Sequence, residues 1–208
     1  MSKRRMLKKQ EETAVTSNNR QWWYIGGALG GVVVIALFAL MVQAAVPTAA
    51  PRPTATPVAD IPGLVQAPSP PSGEHDDNLQ ISFGELPPFG GPHNSVWQNC
   101  GIYVNPVRPE HAVHALEHGA VWITYQPDLA EAELSALTAR VRSRNYVLVS
   151  PYPEQRSPIV LTAWGIQLEL EDSADERFLA FLDAFEQGPQ TPEPGGACSG
   201  GLGFTTGS

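Results

Sequence analysis

Four of the five histidines of this chain fall within 26 residues of one another: His93, His111, His114 and His118. A neutral imidazole offers one lone pair in the plane of its ring, which makes histidine the commonest protein ligand for zinc and copper. The stretch from Pro109 to Gly119 carries three of the four and reads as a short helix. At about 100° per residue, His114 lies about 60° round from His111 and His118 only about 20°, so all three share one stripe. His114 and His118 are one turn apart and can meet on one ion. His111 and His118 are two turns apart, about 10.5 Å along the axis, so a single ion does not take all three. The expected ligand set is therefore His114 and His118 with His93 from the preceding loop, three imidazoles from two segments, suited to copper or zinc. Glu117 sits about 60° off the stripe, as a fourth ligand or as an acceptor that fixes an imidazole tautomer. His111, Tyr103 and Tyr125 are expected in support, and His75 is read as a solvated residue of a tether.

Two other chemistries fit the same residues. In one, the cluster is a buried hydrogen-bond network, with Glu117 paired to Arg108 and the hydroxyls of Tyr103 and Tyr125 completing it, inside a non-enzymatic interaction or structural module. In the other, His114-Ala-Leu-Glu117-His118 matches H-x-x-E-H, a zinc-hydrolase pattern in which the glutamate is the general base. Gly119 ends the helix at once, and no downstream helix offers a further ligand, so no residue is assigned a catalytic role.

The elements that must position these residues follow from periodicity. Leu79–Phe83 alternates apolar and polar, as a strand does, and Cys100–Val104 reads as a second short strand. Ala120–Tyr125, Tyr146–Val149, Ile159–Trp164 and Ile166–Leu170 are β-branched or alternating strands. Asp128 is placed to cap a helix reaching Arg142, with Leu134, Leu137 and Val141 on one face. Ser173 and Glu176 have the spacing of a capping box ahead of a helix with Phe178, Phe181, Leu182 and Phe185 on one stripe. The expected fold is α+β: a small mixed sheet of about five strands, two main helices and one short histidine-bearing helix.

Charge divides the chain unequally. Its formal net charge is −8, yet residues 1–21 carry six basic side chains against two acidic ones, +4, which leaves −12 for the remainder, where no lysine occurs. A domain this acidic repels phosphate backbones, so nucleic acid is not an expected partner. No charged residue stands between Gln21 and Pro51. Residues 22–46 are apolar enough, and at about 1.5 Å per residue long enough, to cross a hydrocarbon core of about 30 Å. Trp22, Trp23 and Tyr24 suit the headgroup level, and the basic residues before them keep residues 1–21 in the cytoplasm. The expectation is a single-pass protein of the cell membrane with residues 22–46 in lipid, preceding an extracytoplasmic domain. A cleaved signal peptide is the alternative, although its apolar region is usually about 7–15 residues.

A Pro-, Ala- and Thr-rich tether at 47–77 leads to the domain at 78–188, and residues 189–208 form a Gly/Pro-rich tail carrying Cys198. Outside the cytoplasm the two cysteines, Cys100 and Cys198, default to an intramolecular disulfide; a shared soft metal and an interchain bridge are the alternatives.

Leu86-Pro-Pro-Phe-Gly-Gly-Pro-His93, Gly101-Ile-Tyr103, Val113-His-Ala-Leu-Glu-His-Gly119 and the strand ending at Tyr125 together resemble the family catalogued as domain of unknown function 3105, over roughly Asn78 to Gly188. The resemblance places His93, His114, Glu117 and His118 in the family's motif and leaves His111 outside it. It implies an exported or membrane-anchored domain with a shared His/Glu cluster, and brings no reaction. The family tends to have serine where this chain has Gly90, so any role of that hydroxyl is lost here. A tryptophan often stands near the Cys100 position in the family, which makes the disulfide a local feature of this chain.

Overall fold

The computed structural model describes residues 61–203, Ser69 excepted. The expected membrane span at 22–46 and the cytoplasmic tail at 1–21 lie outside the described residues. Among the described residues no helix is long and apolar enough to cross a membrane.

Among the described residues nine elements follow in order: β1 (Val65–Gln66), β2 (Gly101–Ile102), α1 (Pro109–Glu117), β3 (Val121–Tyr125), α2 (Glu131–Val141), β4 (Val147–Pro151), β5 (Ile159–Ala163), β6 (Ile166–Leu170) and α3 (Glu176–Phe185). The fold is mixed α+β, with six strands rather than about five, in the order β1-β6-β5-β3-β4-β2. β4 runs parallel to β3 and to β2, so the chain must cross over between β3 and β4, and α2 is that crossover. β5 and β6 form an antiparallel hairpin whose register closes at Ala163 and Ile166. Both outermost strands are only two residues long, which leaves little unpaired edge for another chain to extend.

Strand parity sorts the side chains to two faces. Val121, Ile123, Val147, Val149, Leu161 and Leu168 meet Leu137 and Val141 of α2 and Phe178, Phe181, Leu182 and Phe185 of α3. On the opposite face Trp122, Leu148 and Tyr152 meet Ala112, Val113 and Leu116 of α1. α1 therefore has one face of the sheet largely to itself.

Several sequence expectations need correction. Leu79–Phe83 forms no strand. Its backbone is used elsewhere, with the Ile81 N–H donating to Glu110 Oε2 at 3.3 Å, and Ile81 and Phe83 alternate because both pack on the α1 core. The strand the sequence did not signal, β1, lies in the segment read as tether and pairs antiparallel with β6. Asp128 does not cap α2, whose N-cap is Ala130 with no side-chain bond. The capping box before α3 is replaced by Asp175, which accepts from the Arg177 N–H at 2.8 Å, while the Ser173 N–H donates to Glu133. The described part of the tail has no helix or named strand, as its composition implied, yet it is docked. Cys100 is bonded to Cys198 with their Cα atoms 5.2 Å apart, and the Cys100 N–H donates to the Cys198 carbonyl at 2.8 Å.

Candidate functional site

α1 is nine residues long with every residue buried. A helix this short is marginal alone, so packing and end contacts must hold it. Pro109 opens it at the position where a missing N–H costs nothing. At its end Gly119 takes φ +97°, a conformation other residues rarely adopt, and turns the chain into β3. The chain after α3 then binds the carbonyls that the last turn leaves free. The Glu193 N–H donates to Glu117 O at 3.0 Å, the Gln187 side-chain amide to His118 O, and the Gln187 N–H to Gly119 O at 2.9 Å.

The four histidines of the motif region share one feature. Each has its Nδ1 against a backbone carbonyl: His93 on Gly91 O at 2.8 Å, His111 on Val96 O at 2.5 Å, His114 on Asn94 O at 2.7 Å and His118 on Ala197 O at 2.6 Å. A carbonyl only accepts, so each Nδ1 is the protonated nitrogen, and in the neutral ring Nε2 then carries a lone pair. Burial pushes the His114 pKa down to about 4, against the opposing effect of its bond to the Asn94 carbonyl and with help from the neighbouring histidines. His114 is thus neutral at ordinary pH, with Nε2 free to donate electrons.

Of the four rings, His93 and His114 bring Nε2 into one group with Glu117. His93 Nε2 lies 3.0 Å from Glu117 Oε2, with both side chains wholly buried. Among the described residues neither atom has a hydrogen-bond partner, and in the Nδ1–H tautomer of His93 both present lone pairs to each other. The other carboxylate oxygen is satisfied, Oε1 accepting from the Gly73 N–H at 2.6 Å. Gly73 and its neighbours bring in a residue that the sequence reading left in the tether. His75 pairs with His93 in a parallel bridge, with His93 N–H on Glu74 O at 3.0 Å and Asp76 N–H on His93 O at 2.8 Å. The His75 ring stacks on His114 at 4.9 Å between centroids, and its Nε2 stands 3.7 Å from Glu117 Oε2. His75, His93, His114 and Glu117 each offer a ligand atom, and these atoms all lie within 4.8 Å of one another. A tetrahedral ion with bonds of about 2.0–2.1 Å spaces its donors about 3.3 Å apart. The separations of Glu117 Oε2 from His93 and His75 fall on either side of that figure.

The expected site residues are thus distributed as follows. His93, His114 and Glu117 come together. His118 stands outside the convergent group, although its Nε2 is 3.0 Å from His114 Nε2. His111 is turned to the Val96 carbonyl and joins neither. Tyr103 and Tyr125 do not reach the cluster: the Tyr103 hydroxyl donates to Asn99 O at 2.9 Å and the Tyr125 hydroxyl to Tyr103 O at 3.4 Å. Arg108 pairs with Glu110 rather than with Glu117. His75 was missed because a backbone bridge between segments 18 residues apart carries no periodic signal. At Gly90, with φ +148°, a Cβ would meet Pro70, its Cβ 2.8 Å away, so a serine does not fit this loop as folded here.

Residues 74–200 match the family described as protein of unknown function (DUF3105). No curated protein and no solved structure matches the chain.

Proposed function

The chain belongs to the DUF3105 family, and we propose that its domain binds one transition-metal ion, copper or zinc, through His75, His93, His114 and Glu117. One observation carries this reading. Fully buried His93 Nε2 and Glu117 Oε2 face each other at 3.0 Å, and neither makes a hydrogen bond among the described residues. A buried polar pair left without a hydrogen bond is costly, and a cation held by the lone pairs of both removes that cost. The carbonyls on Nδ1 of His93 and His114 hold those two rings in the orientation and tautomer a metal requires, as second partners of metal-bound histidines do. Three nitrogens and one carboxylate oxygen suit zinc or copper better than magnesium or calcium, which prefer all-oxygen sets.

The rival hydrogen-bond network would need a hydrogen bond at His93 Nε2 and Glu117 Oε2, and neither atom makes one among the described residues. A hydrolase needs a carboxylate beside an open coordination position. Glu117 has one oxygen on the Gly73 N–H and the other among the ligand atoms, so none remains to activate water.

The test is elemental analysis and titration of the full chain, purified in detergent without a histidine tag. About one equivalent of zinc or copper per chain is expected, lost when His93 and His114 are both replaced by alanine. No uptake at micromolar zinc or copper removes the reading. The membrane anchor is proposed on the apolar run at 22–46 and the basic residues before it. Alkaline carbonate extraction should leave the chain in the membrane pellet, and its appearance in the supernatant would refute the anchor.

A further inference from the structure

We infer that His75 is the exchangeable ligand of this site, the place where an aromatic nitrogen donor from outside the chain, an imidazole above all, joins the ion. The inference rests on the four-donor reading above and gives one of its donors a separate task. The His75 side chain is 39% exposed, whereas those of His93 and Glu117 are 0% exposed. His114 is buried as well, so of the four donors His75 alone meets solvent.

The rings are also held differently. His93 and His114 each commit Nδ1 to a carbonyl, and neither turns without breaking a buried hydrogen bond. Among the described residues no hydrogen bond holds the His75 ring, which rests on its neighbours' rings and stands 3.7 Å from Glu117 Oε2. Its backbone, by contrast, is fixed on both sides. The Gly73 N–H donates to Glu117 Oε1 at 2.6 Å, the His93 N–H to Glu74 O and the Asp76 N–H to His93 O. Once its bond to the ion breaks, the ring is free to swing into water while the backbone stays. Exposed side chains change rotamer within picoseconds to nanoseconds. The place it vacates suits another flat ring: His75 stacks on His114 with centroids 4.9 Å and planes 22° apart, and meets His93 edge-on at 4.8 Å.

Exchange is then a substitution of one donor for another. The bond from the ion to His75 breaks, one from the incoming nitrogen forms, and His93, His114 and Glu117 keep theirs. Loss of one of those three instead would leave the ion short of a donor where water does not reach. By this route an imidazole carried on another protein takes hold of the ion before the chain lets go.

The test uses the full chain in detergent without a histidine tag, with zinc(II) as the ion, or copper(II) where only copper binds. Imidazole is the probe. His75→Ala should bind about one ion per chain at least about tenfold more weakly than wild type, the least that losing even a partner behind a ligand costs. Millimolar imidazole should bring that affinity back toward the wild-type value, and should not raise the affinity of wild type. Release from loaded wild type into excess pyridyl chelator should quicken in proportion to chelator concentration, and be faster again in His75→Ala. Wild-type affinity in His75→Ala overturns the inference, because His75 is then no ligand. So does a loss that imidazole fails to restore, or a wild-type release rate independent of chelator concentration. Each of these leaves His93, His114 and Glu117 standing. Failure of the wild-type chain to take up zinc or copper removes the four-donor reading itself.

Discussion

The two faces of the sheet are filled in opposite ways. Toward α2 and α3 the buried side chains are hydrocarbon and aromatic: Val121, Ile123, Val149 and Leu161 from the strands, Leu137 and three phenylalanines from the helices. Toward α1 the sheet presents Trp122, Ser150, Thr162 and Gln167, with the Trp122 ring N–H on Ser150 Oγ and the Gln167 amide on Thr162 Oγ1, both at 3.0 Å. α1 and its C-cap His118 bury three histidines and two glutamates. The first face is stable by packing and needs no outside partner. The second needs a partner for every polar atom, and of the buried atoms without a hydrogen bond there, His93 Nε2 and Glu117 Oε2 lie 3.0 Å from each other.

The largest expected effect lies on the hydrocarbon face. Phe181 is wholly buried among the strands and Phe185. Phe181→Ala should cost about 3–5 kcal/mol in denaturant unfolding through lost burial and the cavity left behind. Measured under conditions where the variant is folded, metal stoichiometry should not move. A change in stoichiometry with the fold retained would mean that the faces are not separate in role.

Next in size is the link that ties the tail to the α1 face. The disulfide joins residues 98 apart, and the tail it secures supplies the Ala197 carbonyl that orients His118. Replacing Cys100 and Cys198 together by serine should lower stability by about 2–4 kcal/mol. It should also raise hydrogen exchange at the Glu193 amide, which now donates to Glu117 O. Unaltered exchange there would show that the tail is held by its own contacts, without the covalent link.

Glu117→Gln reverses the usual sign. The amide keeps an oxygen for the Gly73 N–H and places an N–H donor against His93 Nε2, relieving both buried acceptors. The metal-free variant should be more stable than wild type by about 1–3 kcal/mol, the cost of leaving such groups unsatisfied. Its affinity for zinc or copper should fall at least about tenfold, as charge and a ligand atom are lost. Stability and binding moving in opposite directions is the pattern of a site that function has left strained. A drop in the metal-free melting temperature would contradict it.

The contrast also governs what the sequence discloses. The hydrocarbon face is written in local periods: Phe178, Phe181, Leu182 and Phe185 recur at helical spacing, and each is buried as the spacing implies. β6 was legible to the residue. On the α1 face the ligand types were legible, because His114, Glu117 and His118 lie within five residues of one another. Their partners were not. The carbonyls of Gly91, Asn94, Val96 and Ala197 belong to loops, and any residue there could supply them. His75 and Gly73 arrive from a segment whose proline content reads as a spacer, held by backbone bonds that no side-chain pattern announces. Even within the motif, turn geometry fixes only which residues share a stripe. The tail fixes the His118 ring by holding its Nδ1 on the Ala197 carbonyl.

The smallest expected effect tests a local feature that belongs to neither face. Asp175 caps α3, accepting from the Arg177 N–H, and its carboxylate also pairs with the Arg177 guanidinium. The Arg177 hydrogen bonds hold the Asp175 pKa below its ordinary 3.8, outweighing the slight burial that raises it. A carboxyl depressed on folding adds stability that is complete above its unfolded pKa and fades as the pH falls through the folded value. Asp175→Ala should therefore cost about 1 kcal/mol at neutral pH, the usual worth of an N-cap. The gap to wild type should close as the pH is lowered below about 3.8. Zinc affinity at neutral pH should be untouched, since α3 lies across the sheet from α1. A gap that stays constant into acid would show that the loss comes from helix propensity and not from the carboxylate. A gap that widens there would mean that the aspartate is protonated more readily in the folded chain than in the unfolded one, against the sign its bonds to Arg177 require.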